Sequence, residues 1–139
     1  MMEPEFSLTP QEVEAACRLS LPALAVRGLE LFNQGAYFEA HEEFELAWRE
    51  EHAPVRELYR GILQVAVAYL HILRGNYRGA VKMFLRSRIW LGPCPDCCCG
   101  VDLASLRREY YRVEEELLRL GPDQTQWLDR SLMKPIQYS

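Results

Sequence analysis

From Gly61 to Leu73 the chain reads Gly-Ile-Leu-Gln-Val-Ala-Val-Ala-Tyr-Leu-His-Ile-Leu, with only Gln64 and His71 breaking the apolar run. A helix that is apolar on every side is surrounded on every side. The run is too short to span a bilayer, which takes about 20 apolar residues. It therefore reads as the central helix of a packed fold. Gln64 and His71 lie seven positions apart, roughly 700° around a helix, and so point within about 20° of one another. Gly61 and Ala68 share that face and let a neighbouring helix come close. An amide and an imidazole carried inside in this way require hydrogen-bonding partners.

Helix punctuation surrounds this segment, whereas alternation of apolar and polar residues and Asn-Gly or Asp-Gly turns are missing. Thr9-Pro10-Gln11-Glu12 forms a capping box that opens a first helix ending near Ser20. A second helix is expected from Pro22 to Gln34, stopped by Gly35, and a third from Tyr37 to Glu51. The fourth opens at Pro54 and lasts to Gly75-Asn76, and the fifth runs from Tyr77 to Leu91 before Gly92-Pro93. Asp102 caps a sixth that ends at Gly121-Pro122. The tail from Asp123 to Ser139 carries Trp127, Leu128 and Leu132 at helical spacing and is expected to dock weakly. The fold class is all-α.

Gly35, Tyr37, Ala40 and Phe44 recur 40 positions later as Gly75, Tyr77, Ala80 and Phe84. The pattern is similar to the helical hairpin of tetratricopeptide repeats, which return every ~34 residues and stack in about three copies. With two hairpins, the expectation is a closed bundle of five to six helices. One domain over 1–139 is expected, with an N-terminal helix in 1–20, a helical core in 21–121 and a tail in 122–139.

The third helix faces the fourth with Tyr37, His41, Phe44 and Trp48 spaced 4, 3 and 4 apart. Glu45 lies one turn beyond His41, and Glu42 lies farther round. A polar pocket between these two helices is expected from His41, Glu45, Gln64 and His71, with Glu42 at its mouth. The run Tyr37-Phe38-Glu39-Ala40-His41-Glu42, followed by Glu45, Trp48, Gly61-Ile62-Leu63-Gln64, His71 and Gly75-Asn76, resembles the helical domain-of-unknown-function family numbered 309. The resemblance covers roughly Leu21 to Gly121. It implies a small all-helical bundle found mostly in bacteria and archaea, with no established activity, and singles out His41, Glu42, Glu45, Trp48, Gln64 and His71. The cysteine loop departs from the family pattern.

The pocket has two readings. His41, Glu45 and His71 could hold a divalent metal as two imidazoles and a carboxylate, or could act without metal in hydrolase-like acid–base chemistry with Glu42 carrying the proton. In the other reading Glu45 and Gln64 orient two histidines in a satisfied core network. The doubled Glu-x-x-His motif of di-iron bundles and the His-Glu-x-x-His signature of zincins are both missing.

Five cysteines, four of them within Cys94–Cys99, do not resemble a secreted disulfide framework. Cys94 and Cys97 make one Cys-x-x-Cys, leaving three readings open: incidental thiols, half of a metal site, or a working disulfide. Met1 to Phe6 shows no secretory signal, and a cytoplasmic protein is expected.

The net charge of −4 gives no general attraction to nucleic acid or to an anionic membrane. Charge is nonetheless segregated. Glu39–Glu51 holds six Glu and one Arg, and Arg74–Trp90 holds four Arg, one Lys and no acid. Arg74, Arg78, Lys82 and Arg86 recur every fourth residue, placing a basic ridge on the fifth helix. The ridge is either a solvated face or a dock for an acidic protein or phosphate-bearing ligand. Nucleic acid is disfavoured, because Tyr77 alone interleaves the ridge. The leading expectation is a small cytosolic binding or scaffolding module. The alternatives are a metal-binding protein or enzyme built on the pocket, and a homo-oligomer subunit that pairs leftover helix faces.

Overall fold

A computed structural model describes residues 7–139, and the Met1–Phe6 reading lies outside them. The elements are α1 (Pro10–Cys17), α2 (Ala23–Asn33), α3 (Tyr37–Glu50), α4 (Arg56–Leu73), α5 (Tyr77–Leu91), β1 (Cys97–Cys98), β2 (Val101–Asp102) and α6 (Leu103–Leu120). Two 3-10 turns, Pro122–Trp127 and Arg130–Leu132, follow. The protein is all-α, and every expected helix forms within two residues of its expected start. The Thr9 hydroxyl accepts from Glu12 N–H while the Glu12 carboxylate accepts from Thr9 N–H, so the capping box is complete. Gly35, Gly75 and Gly121 all have positive φ, 79°, 71° and 77°, at the three expected helix stops. Gly92 differs: its φ of −57° keeps it helical, and α5 ends at the Gly92-Pro93 step because proline has no N–H to continue the ladder.

Helices α2 to α5 pack successively, with α4 lying between α3 and α5. Val65, Ala66, Ala68 and Tyr69 of α4 are completely buried, as a helix apolar on all sides requires. The repeated Ala40 and Ala80 are completely buried too, and so are Phe44 and Phe84. A chain of rings runs through the centre. Tyr69 meets Phe32, Tyr37 and Phe84, and Phe84 stacks on Tyr110 of α6 at 6.1 Å. Helix α6 completes the core with Leu103, Leu106, Val113 and Leu117. Its Glu114, buried, pairs with Arg88 of α5.

Two expectations are corrected. The first concerns the tail, which is stitched down. Asn33 donates to the Ile136 carbonyl at 2.9 Å and accepts from Ile136 N–H at 2.7 Å, and Gln137 and Ser139 bond to Asp102 and Gly100. Leu128 and Ile136 are buried, whereas Trp127 is 74% exposed, because the segment forms 3-10 turns and the α-helical spacing assumed for it does not apply. The second is a two-residue hairpin inside the cysteine loop. Its turn residues Cys99 and Gly100 both have positive φ, 54° and 80°, the pair of values that suits a tight hairpin.

Candidate functional site

The polar residues of α4 are sorted by how closely α5 approaches. A Cβ placed on Gly61 would stand 2.6 Å from Leu91, and one on Gly79 would stand 2.9 Å from the His71 ring. The two helices are antiparallel in a register that puts residue 61 against 91 and residue 71 against 79. Glycine at both points is what permits this approach. His71 is therefore directed at the start of α5 and away from α3. Its Nδ1 lies 3.2 Å from the Asn76 amide nitrogen, while the Asn76 carbonyl oxygen accepts from Gly79 N–H and caps α5. Held this way, Nδ1 is the acceptor and the ring is neutral.

Desolvation, and then Arg74, push the His71 pKa below the ordinary imidazole value. The unfolded chain binds a proton as pH falls below about 6.5, while the folded ring resists it, so this contribution to stability is lost on acidification. Urea unfolding of His71→Gln should accordingly fall less between pH 7.5 and pH 5.5 than that of the native chain.

His41 pairs with Glu45 as the i, i+4 spacing predicts, Nε2 to Oε2 at 3.4 Å, and Glu45 also accepts from Arg49 at 2.6 Å. Nδ1 of His41 lies 3.3 Å from the Phe38 carbonyl. His41 is half-buried at the edge of α3, and Glu42 is exposed. With His41 tied to its own helix and His71 to the α5 cap, the expected pocket is not assembled. Among the described residues no three of His, Cys, Asp and Glu are placed to hold a metal ion, so His41, Glu45 and His71 do not form a ligand set.

Gln64 lies one turn beyond Arg60 on α4, half-buried, and Arg60 belongs to a different cluster. Trp48 of α3 and Trp90 of α5 flank the Arg60 guanidinium, each ring centroid 4.6 Å away. Arg56 covers Trp48 at 4.1 Å and donates to its carbonyl at the end of α3. Glu57 pairs with Arg60 at 3.5 Å. Gln64 Oε1, Trp48 Nε1 and Arg86 Nε are buried without a hydrogen-bond partner among the described residues. Such cation–ring contacts contribute about 0.5–2 kcal/mol each, so the cluster braces α3 and α5 across α4. Sequence reading singled out Trp48 and Gln64 but missed Arg56, Arg60 and Trp90. Arg56 and Arg60 are four apart, one turn before Gln64, and that spacing was the available signal.

The basic ridge also divides. Arg74 caps α4 and does not sit on α5, and its guanidinium lies over Phe38 at 5.9 Å. Arg78 and Lys82 are exposed on α5, while Arg86 is half-buried. None of these four pairs with a carboxylate among the described residues, although Arg18, Arg27, Arg49, Arg60, Arg88, Arg107 and Arg119 all do.

The cysteines pair outside the Cys-x-x-Cys. Cys17 at the end of α1 is disulfide-bonded to Cys98, 81 positions away, and Cys94, Cys97 and Cys99 are free. The Cys94 thiol donates to the Trp90 carbonyl, and burial pushes its pKa up to about 11.

Fold and site together define an all-α protein of two repeated helical hairpins braced by a tryptophan–arginine cluster. Residues 25–83 match the model of DUF309, a domain of unknown function. The match holds His41, Glu42, Glu45, Trp48, Gln64 and His71, and it stops short of the expected Gly121, leaving Trp90, the cysteine loop and α6 outside. An uncharacterized protein of Aquifex aeolicus (strain VF5) is 26% identical over 77 residues, 55% of this chain. The aligned part spans 23% of that relative's length. The biochemical activity of the family is unknown, as the resemblance implied.

Proposed function

We propose that this protein is a small helical binding module that docks an acidic segment of a partner protein on Arg74, Arg78 and Lys82. The observation that carries this reading is a row of three exposed cations, Arg74, Arg78 and Lys82, each four residues from the next and none paired with a carboxylate among the described residues. Seven arginines elsewhere are so paired, and the unpaired ones off the ridge, Arg56, Arg108, Arg112, Arg130 and Lys134, make no row of three. Arg78 and Lys82 stand one turn apart on α5 with Arg74 at the end of α4 before them, and cations held by helical backbone lose less entropy when they meet a line of carboxylates. The reading keeps the module in the cytoplasm. No described helix is long and apolar enough to cross a membrane.

The test measures binding of poly-L-glutamate and of inorganic polyphosphate at two salt concentrations. Poly-L-glutamate should bind, and its Kd should rise roughly tenfold between about 50 mM and 300 mM salt, as screening shortens the reach of each charge. Arg78→Glu/Lys82→Glu should weaken it by about tenfold more, equivalent to about 1.4 kcal/mol. Binding of polyphosphate alone would replace the acidic protein with a phosphate-bearing ligand, and salt-insensitive or undetectable binding of both would overturn the ridge.

A further inference from the structure

Helix α1 is held to the rest of the protein by few contacts. Of its eight residues only Val13 and Ala16 are buried. The others on its body are exposed, and a helix of this length is not stable alone in water. Three further attachments converge on one end. The Cys17–Cys98 disulfide joins α1 to β1, Cys99 N–H donates to the Cys17 carbonyl at 2.8 Å, and the Cys99 thiol donates to the Ala16 carbonyl at 3.2 Å. Val13, Ala16, Cys17 and Cys98 line a small void with Val55, Leu58 and Cys94 under the helix. Cys98 is only 2% exposed, whereas Cys17 is half-buried and borders an outer cleft of about 570 Å³ with Leu21, Gly100 and Tyr138.

We infer that Cys17 and Cys98 form a reversible redox site, exchanging two electrons with thiols and disulfides in solution, and that its state decides whether α1 stays docked. A thiolate enters by the outer cleft that Cys17 borders. Attack there forms a mixed disulfide with Cys17 and releases Cys98 as the thiolate. A second thiol of the reductant attacks the reductant's sulfur in that mixed disulfide and frees Cys17. The two thiol protons end on Cys17 and Cys98, and the reductant leaves as its disulfide. Oxidation by a small disulfide runs the same steps backwards. Cys94 and Cys99 stay out of the exchange because burial holds both thiols protonated, and thiolate is the attacking form. Without the bond, two small apolar side chains and the Cys99 contacts are left to hold a helix that does not persist alone. It undocks and bares Val55, Leu58 and Cys94.

The experiment equilibrates the full chain with oxidised glutathione or with dithiothreitol, then measures alkylatable thiols after denaturation, disulfide-linked peptides, and amide exchange in the folded protein. The oxidised sample should show three thiols and a peptide joining Cys17 to Cys98, and the reduced sample five. Exchange within residues 10–19 should be at least about tenfold faster in the reduced sample, with α4 unchanged. Cys17→Ser, or Cys98→Ser if the first variant does not fold, should exchange fast in either buffer. A peptide linking Cys94 to Cys97, five thiols after oxidation, or equal exchange of α1 in the two wild-type samples would overturn the inference.

Discussion

Phe84→Ala is expected to lower the free energy of unfolding by about 3–5 kcal/mol, the range for emptying a fully enclosed aromatic site. That is a large part of the 5–15 kcal/mol that holds a typical domain together. The ring has no solvent exposure, stands edge-on to Tyr69 at 6.2 Å and stacks on Tyr110 at 6.1 Å. Its loss therefore removes one of the contacts between α6 and the hairpins as well as leaving a void. Phe44→Ala, the equivalent position in the first hairpin, should cost a similar amount, because that ring is also completely buried and covers Gly28 at 2.8 Å from a would-be Cβ. Urea denaturation of the two variants is the check. A cost below about 1 kcal/mol at either site would show that the repeat does not mark the core.

The second large effect comes from filling the closest approach of α4 and α5. Gly61→Val puts side-chain atoms where Leu91 already stands, 2.6 Å from the Cβ position, with the Trp90 Cβ at 3.2 Å. Overpacking of this kind costs about 1–3 kcal/mol. It should also part Trp90 from Arg60 and so move tryptophan emission to the red. Gly28→Val provides the comparison. It collides with Phe44, should cost a similar amount, and meets neither Leu91 nor Trp90. Equal spectra for the two variants would mean that the cluster does not depend on the spacing of α4 and α5.

The helices were legible because their signals are local: a capping box at Thr9, glycine stops at Gly35, Gly75 and Gly121, and a burial pattern in α4 that admits one placement. The 40-residue repeat located Ala40, Phe44, Ala80 and Phe84 in the core for the same reason, since each pair occupies one role in one hairpin. The polar site was read less well. Helical phase predicts a common face of α4 for Gln64 and His71, but phase does not say which neighbour a side chain meets. Gly61 and Gly79 decided the matter by drawing α5 in, and His71 went to the Asn76 cap. The Cys17–Cys98 bond spans 81 positions and depends on where α1 lands, which no local spacing records. The tail was misjudged for a related reason: its hold comes from backbone bonds to Asn33, Gly100 and Asp102, whereas Trp127 promised a packing contact that a 3-10 turn does not make.

The role of the ridge is open to direct mapping by amide NMR of the full chain, titrated with poly-L-glutamate at low salt. The account predicts that shifts centre on Arg74, Arg78 and Lys82, fade as salt is added, and spare α1 and α6. Shifts centred on Trp48, Arg60 and Trp90, or spread without a centre, would contradict it.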